Sequence, residues 1–330
     1  MGSTEIPGNG HELASVAQQR AERLAELPFE VSVSAGPKSV GGFFASIREI
    51  AKHRELLDLL IRRELKSRYK DSTLGFLWSL IKPLVQLLIY YVFIGTVLGA
   101  SRGVPDFAIF VFSGLTLWGL YAETISTGTA SIISNGGLIK KVYLPREIFP
   151  LASTGSAIFN FLVQMVVLLL AIIVLGQFPV SWNLLYVPVA FVVVLIWGVT
   201  FAVVLSALNV FLRDIQYLVE VAMLLLFWAS PIVYSWTLVV QSVKTHTWLL
   251  DVYLLNPISL AMLAFQRGLW QAGSQTRVLG DPGNLTVVPP VQWPANMDLL
   301  LVLATIAGLV ALFFAQRIFS RLQGNFAQEI

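Results

Sequence analysis

Apolar residues gather along this chain into uninterrupted runs of about 20, the number a helix rising 1.5 Å per residue needs to cross a hydrocarbon core of ~30 Å. Six runs meet that length, at residues 74–98, 107–128, 151–175, 184–212, 218–240 and 299–320. A seventh, 252–270, is broken by Asn256-Pro257 and charged by Arg267, so it reads as a re-entrant hairpin that enters and leaves on the outer side. Helix breaks at membrane depth survive only against protein or water, which predicts that this hairpin lines a cavity. Residues 271–296 that follow are rich in Gly and Pro and read as an external loop, in which the sequon at Asn284 is accidental.

Before the first run the period changes. Over residues 43–73, Leu57, Leu60, Ile61, Leu65 and Tyr69 recur at helical spacing, while Arg54, Asp58, Arg62, Lys66 and Lys70 cover the other side. Such an amphipathic interface helix lies on the inner membrane surface, either as an anchor to anionic lipids or as a platform for a cytoplasmic partner. Residues 1–42 are polar or small and read as a mobile cytoplasmic tail without a secretory signal.

Basic residues set the orientation, because lysine and arginine resist transfer across the membrane. Eight lie between Arg48 and Lys70, and Lys140, Lys141, Arg146, Arg213, Arg317 and Arg321 occupy later connections on the same side. Both termini are therefore expected inside. Trp182, Trp236, Trp248, Trp270 and Trp293 fall near expected outer ends, as interfacial rings should.

Composition sharpens this picture. With 56% hydrophobic and 12% charged residues and a mean hydropathy of +0.74, a soluble globular domain is excluded. A net charge of +3 gives no ground for a nucleic-acid partner. No cysteine and three scattered histidines leave nothing to build a disulfide or a transition-metal cage. The chain has no G-x-x-x-x-G-K-[ST] phosphate cradle, so it does not hydrolyse ATP alone. It also lacks a G-x-S-x-G elbow, an H-E-x-x-H pair and closely spaced aspartates for Mg²⁺, which favours transport over catalysis.

Four stretches carry a resemblance to a known family: Tyr69-Lys70-Asp71-Ser72-Thr73-Leu74-Gly75-Phe76-Leu77-Trp78 with Lys82-Pro83-Leu84; Asn135 followed by residues 138–150; Leu212-Arg213-Asp214-Ile215; and Ser230-Pro231-Ile232-Val233-Tyr234 with Leu255-Asn256-Pro257. Together they resemble ABC-2 polysaccharide export permeases, which include exporters of O-antigen, teichoic acid and capsule. The overall pattern is similar to actinobacterial permeases for lipid-linked galactan. The resemblance implies an all-α integral membrane fold with six spans and both termini inside, in the plasma membrane of a bacterium. It further implies a homodimer joined to two copies of a P-loop ATPase subunit. That partner would carry the ATP and Mg²⁺, and the cargo would be a polyprenyl-diphosphate-linked polysaccharide moved outward.

Candidate residues follow from combining the two readings. Residues 133–150 would present Asn135, Lys140, Lys141, Tyr143, Arg146 and Glu147 to the ATPase as a coupling loop; ordinary basic decoration of an inner loop is the plainer alternative. Lys82 and Glu123 fall at similar depth in the inner half of the first two runs, where an ionisable group is costly. They form either an ion pair or, with Trp78, an entrance at which Lys82 attracts the lipid diphosphate. Tyr90, Tyr91, Phe93, Trp118, Tyr121, Trp228 and Tyr234 are candidates for stacking sugar rings along a channel, or for helix packing. The hairpin, with Asn256, Pro257, Phe265 and Arg267, would be an external gate or a static plug. Rival readings are an exporter of a drug or simple lipid, a membrane-bound glycosyl- or acyltransferase, and a passive channel.

Overall fold

Two helices precede the first membrane run in the computed structural model, which describes residues 40–69, 75–97, 99, 104–141, 144–176, 178–243, 248–275, 277–279, 286–288 and 290–329. The expected tail up to residue 39, Lys70, Tyr143 and the Asn284 sequon lie outside these residues. Helix α1 (Val40–Lys52) and helix α2 (Arg54–Tyr69) meet at His53, whose amide bonds the Ile50 carbonyl at 2.9 Å. α2 does more than float on a surface. Its Leu60 is buried, and its Ile61 lies so close to Gly155 that a Cβ there would sit 2.4 Å from the isoleucine Cδ1.

The first run forms α3 (Trp78–Ile89), which continues as a π-helical segment, Tyr90–Val97. α4 (Phe107–Ser134) is the centre of the bundle and is buried on nearly every side. A short α5 (Gly136–Ile139) leads to α6 (Ile148–Val174) and then α7 (Tyr186–Phe211). α4 and α7 pack closely because small residues line their crossing: a Cβ on Gly128 would lie 2.6 Å from that of Ala202, and one on Gly198 3.2 Å from the Thr124 methyl. Without a hydrophobic force between helices in lipid, this close approach is what holds spans together.

The fifth run departs from expectation. Instead of one helix over 218–240 there is α8 (Ile215–Ala229), an irregular stretch at Ser230–Ser235, and α9 (Trp236–Ser242). Pro231 is the reason: it lacks an amide proton and forces the residue before it out of the helical region, so Ser230 is extended, with φ −107° and ψ 149°. The stretch nests against Gly114, where a Cβ would meet the Ile232 carbonyl at 3.1 Å. Among the described residues five helices are long and apolar enough to cross a membrane, and the 15-residue α8 is too short to do so upright.

The interrupted seventh run bends as expected, with α10 (Trp248–Leu254) and α11 (Pro257–Leu269) meeting at 85°. Proline begins α11, where its missing amide costs nothing, and the Asn256 side chain caps the turn by accepting the Ile258 amide at 3.0 Å. Two short strands, β1 (Arg277–Leu279) and β2 (Thr286–Val288), pair antiparallel in the expected outer loop. α12 (Met297–Leu322) and a final turn, α13 (Phe326–Glu329), complete the chain. Trp182 and Trp248 are exposed as interfacial rings should be, but Trp236 and Trp270 are buried, donating to the Gln292 and Pro105 carbonyls at 3.0 and 2.7 Å. They tie the hairpin and the outer loop to the bundle.

The α4–α7 crossing yields a prediction. Gly128→Val drives two methyl groups into Ala202 and is expected to destabilise the chain by about 1–3 kcal/mol, read as a lower melting midpoint of the detergent-purified protein. An unchanged midpoint would contradict the packing described.

Candidate functional site

A cavity of about 630 Å³ opens at the basic end of the bundle, lined by Arg68, Trp78, Ser79, Lys82, Pro83, Glu123, Asn160 and Gln164. Four elements contribute to it: α2, α3, α4 and α6. The expected entrance residues Trp78, Lys82 and Glu123 thus share one cavity, but not as the expected pair. Glu123 is bound by Arg68 through Nη1, while Asn160 Nδ2 donates to the same carboxylate oxygen at 2.7 Å. Arg68 also reaches Glu64, one turn back on α2, at 3.2 Å. Lys82 is exposed and has no ion-pair partner among the described residues. The reason is reach across elements: α2 lies against α6 at the level of Glu123, so the rigid fork of the guanidinium arrives where lysine was expected.

Arg68, Asn160 and Gln164 are additions to the site. In the sequence Arg68 is one of a basic run, since no periodicity tells which arginine turns inward. Asn160 and Gln164 did leave a signal: two carboxamides four residues apart on one face of an otherwise apolar span.

The loop between α4 and α6 divides into an outer and an inner part. Asn135 accepts a hydrogen bond from Arg63 of α2 and donates to the Ser131 carbonyl at 2.8 Å, so the loop's first residue is bound to α2. Lys140 and Lys141 are exposed. Arg146 instead covers the ring of Phe326, its guanidinium carbon 5.5 Å from the centroid, and that ring is fully buried beside Phe211 and Phe319. Glu147 is 6% exposed, contrary to its expected display toward a partner. Burial raises its carboxyl above the usual range; Glu49 adds to the rise, and Gln316 and Arg146 oppose it.

The aromatic candidates also separate. Trp118 and Tyr121 are largely buried, Trp118 packing on Phe227 with centroids 5.6 Å apart, and Tyr121 borders an apolar pocket of about 280 Å³ with Ile125, Phe201 and Met223. Tyr90 stacks on Phe227 at 6.0 Å, joining the first run to α8. Tyr91, Phe93 and Trp228 are exposed, and the Tyr234 hydroxyl donates to the Trp228 carbonyl at 2.9 Å. At the far end α11 is built as a wedge. Phe265 is fully buried against Phe161, Gln266 donates to the Pro231 carbonyl at 2.7 Å, and Arg267 lies over the Tyr186 ring at 4.6 Å. α10 has no buried residue.

Two measurements check this geometry. A double-mutant cycle of Arg68→Ala and Glu123→Ala in thermal unfolding should return a coupling of about 1–2 kcal/mol; additive losses would mean that the two groups do not meet. A raised folded-state pKa at Glu147 means that the folded chain binds this proton more tightly than the unfolded one. Stability is therefore fully present below the ordinary carboxyl pKa of about 4.3 and falls as pH rises through the folded value. Glu147→Gln should raise the melting midpoint more at pH 8 than at pH 5, and an equal change at both would contradict the burial.

Comparison with known proteins places this architecture. Residues 55–270 match the family model described as ABC-2 type transporter. The chain is 30% identical to the O-antigen export system permease protein RfbA of Myxococcus xanthus, over 67% of this chain and 82% of that protein. It is 29% identical to RfbA of Klebsiella pneumoniae over the same shares. A shorter match, 30% identical over 25% of this chain and 32% of the relative, is to the polysialic acid transport protein KpsM of Escherichia coli. The matched region runs from α2 through α11, including the cavity, the loop and the hairpin, and the chain belongs to the ABC-2 type transporter family as a multi-pass permease of the cytoplasmic membrane.

Proposed function

We propose that this chain is the permease subunit of an exporter that moves a polyprenyl-diphosphate-linked polysaccharide, of O-antigen, teichoic acid or cell-wall galactan type, outward across the cytoplasmic membrane. The observation that carries the reading is the cavity at the basic end: Lys82 and Arg68 stand beside the ring of Trp78 and the apolar Pro83, at the end of the bundle where basic residues concentrate. Cations that recognise phosphate, set at the edge of a hydrocarbon layer, suit an anionic headgroup whose tail stays in lipid. The relatives named as O-antigen export permeases support the choice of cargo.

The working unit is a homodimer with two copies of a P-loop ATPase, which hold the ATP and Mg²⁺. α3 has no buried residue and α8 buries only Val219 and Phe227, so these helices offer apolar faces to a second copy and to lipid. Exposed Trp228 on α8, with Tyr91 and Phe93 on the π-helical continuation of α3, would stack the passing sugars, whose C–H faces need no fixed hydroxyl pattern. Residues 133–150 dock on the ATPase through Lys140 and Lys141, and Arg146 and Glu147 support the loop from within. α10, pivoting at Asn256-Pro257 on the fixed α11, closes the far end.

In proteoliposomes containing the permease and its ATPase, a lipid-linked glycan should stimulate ATP turnover and appear on the far side, with Lys82→Ala lowering transport at least tenfold. Arg146→Glu should leave ATP turnover but abolish transport. Stimulation by drugs or simple lipids with the glycan inert would contradict the cargo. Transport without ATPase, or chemical modification of the lipid-linked sugar by the permease alone, would contradict the class.

A further inference from the structure

The cavity's two cations are unequal. Lys82 is exposed and unpaired among the described residues, whereas Arg68 is held by Glu123 and Glu64 from two sides. A dianionic headgroup entering this space therefore meets one available positive charge and one already neutralised. Glu123, unlike Glu64, lines the cavity itself. Its carboxylate has a second donor: Asn160 Nδ2, at 2.7 Å, sits on a different helix from Arg68 and stays in place if the arginine turns away. Loss of the guanidinium therefore does not leave the carboxylate without a partner, which would otherwise make such an exchange costly. Both side chains remain partly accessible, at 26% and 21%, so exchange needs no unfolding.

Building on the cargo reading above, we propose that Glu123 is an internal substitute for the cargo's anion: its carboxylate occupies Arg68 in the empty cavity, and an entering diphosphate takes over the guanidinium while Glu123 withdraws onto Asn160. A diphosphate outcompetes a carboxylate here because it carries more charge and presents several acceptor oxygens to the planar fork, with Lys82 adding a second contact. The exchange also has a mechanical consequence. Arg68 and Arg63 belong to the same helix, and Arg63 holds Asn135, the first residue of the loop assigned to the ATPase. Freeing Arg68 from Glu123 releases a tie between α2 and α4, so occupation of the cavity is passed to the loop by way of α2.

The test uses the full permease–ATPase complex in nanodiscs and measures equilibrium binding of geranylgeranyl diphosphate, with geranylgeraniol and inorganic pyrophosphate as separate arms. Glu123→Gln keeps the shape and the neutral hydrogen bonds but removes the competing charge; it should tighten diphosphate binding about tenfold, the equivalent of one charge-assisted bond. Arg68→Gln should weaken binding, and the double variant should bind like Arg68→Gln alone. Asn160→Leu, which removes the withdrawn position, should weaken binding several-fold and serves independently if Glu123→Gln folds poorly. Pyrophosphate following the same order would identify the headgroup as the recognised part; weak binding of pyrophosphate with the order kept for the lipid would show that the tail contributes, and both support the proposal. If Lys82→Gln weakens binding while Glu123→Gln leaves it unchanged or weaker, the cavity takes the anion and the substitution role of Glu123 is overturned. Binding of the alcohol as tightly as the diphosphate, indifferent to all four residues, would overturn the cargo reading as well.

Discussion

A hydrocarbon interior cannot solvate a polar group, and this constraint explains where the charge of Glu123 and the helix breaks at Pro231 and Asn256-Pro257 find their partners. It explains why Glu123, lodged in the central helix, has an arginine from one neighbour and an asparagine from another. The same rule operates at the opposite end. Pro231 breaks α8, and Gln266 of α11 supplies the Pro231 carbonyl with a donor; Asn256 caps the helix that Pro257 starts. The break at Pro231 and the bent hairpin thus support each other, and the wedge α11 is tied into the bundle through the break beside it.

Small residues and unpaired faces divide the remaining surface. Where glycine and alanine line a crossing, as between α4 and α7, the helices approach closely, and Gly155 of α6 likewise admits the Ile61 side chain of α2. Where they do not, along α3 and α8, large apolar side chains point outward. A packed block carrying two such faces suits the proposed dimer, in which a passing polymer would slide on aromatic rings rather than lock on specific hydroxyls.

Much of this was legible in the sequence, because run length and charge bias report directly on the membrane. Five long helices, the amphipathic entry and the bent hairpin at Asn256-Pro257 were readable in that way. Hydropathy sums over residues and so shows the fifth run as one stretch, whereas Pro231, a place for a kink by its chemistry, ends α8 outright. At the cavity, depth counting brings Lys82 and Glu123 together, yet it cannot select Arg68 over Lys82 as the partner, because that choice depends on how α2 leans on α6. Glu147 and Arg146 were expected at the surface with the other polar loop residues. Glu147 is instead buried, and Arg146 lies over the ring of Phe326, almost two hundred positions away, which no local pattern connects to it.

The central claim is that the polar cavity at the basic end receives the phosphate-bearing head of a lipid-linked glycan. Its most direct test is capture in place: a photo-crosslinking amino acid at Ser79, on the cavity wall, activated in native membranes containing the ATPase partner, followed by mass analysis of the attached material. The account predicts a polyprenyl diphosphate bearing sugar, captured from this position and not from the opposite, exposed face of α3. Capture of bulk phospholipid alone, at the same yield from both positions, would contradict it.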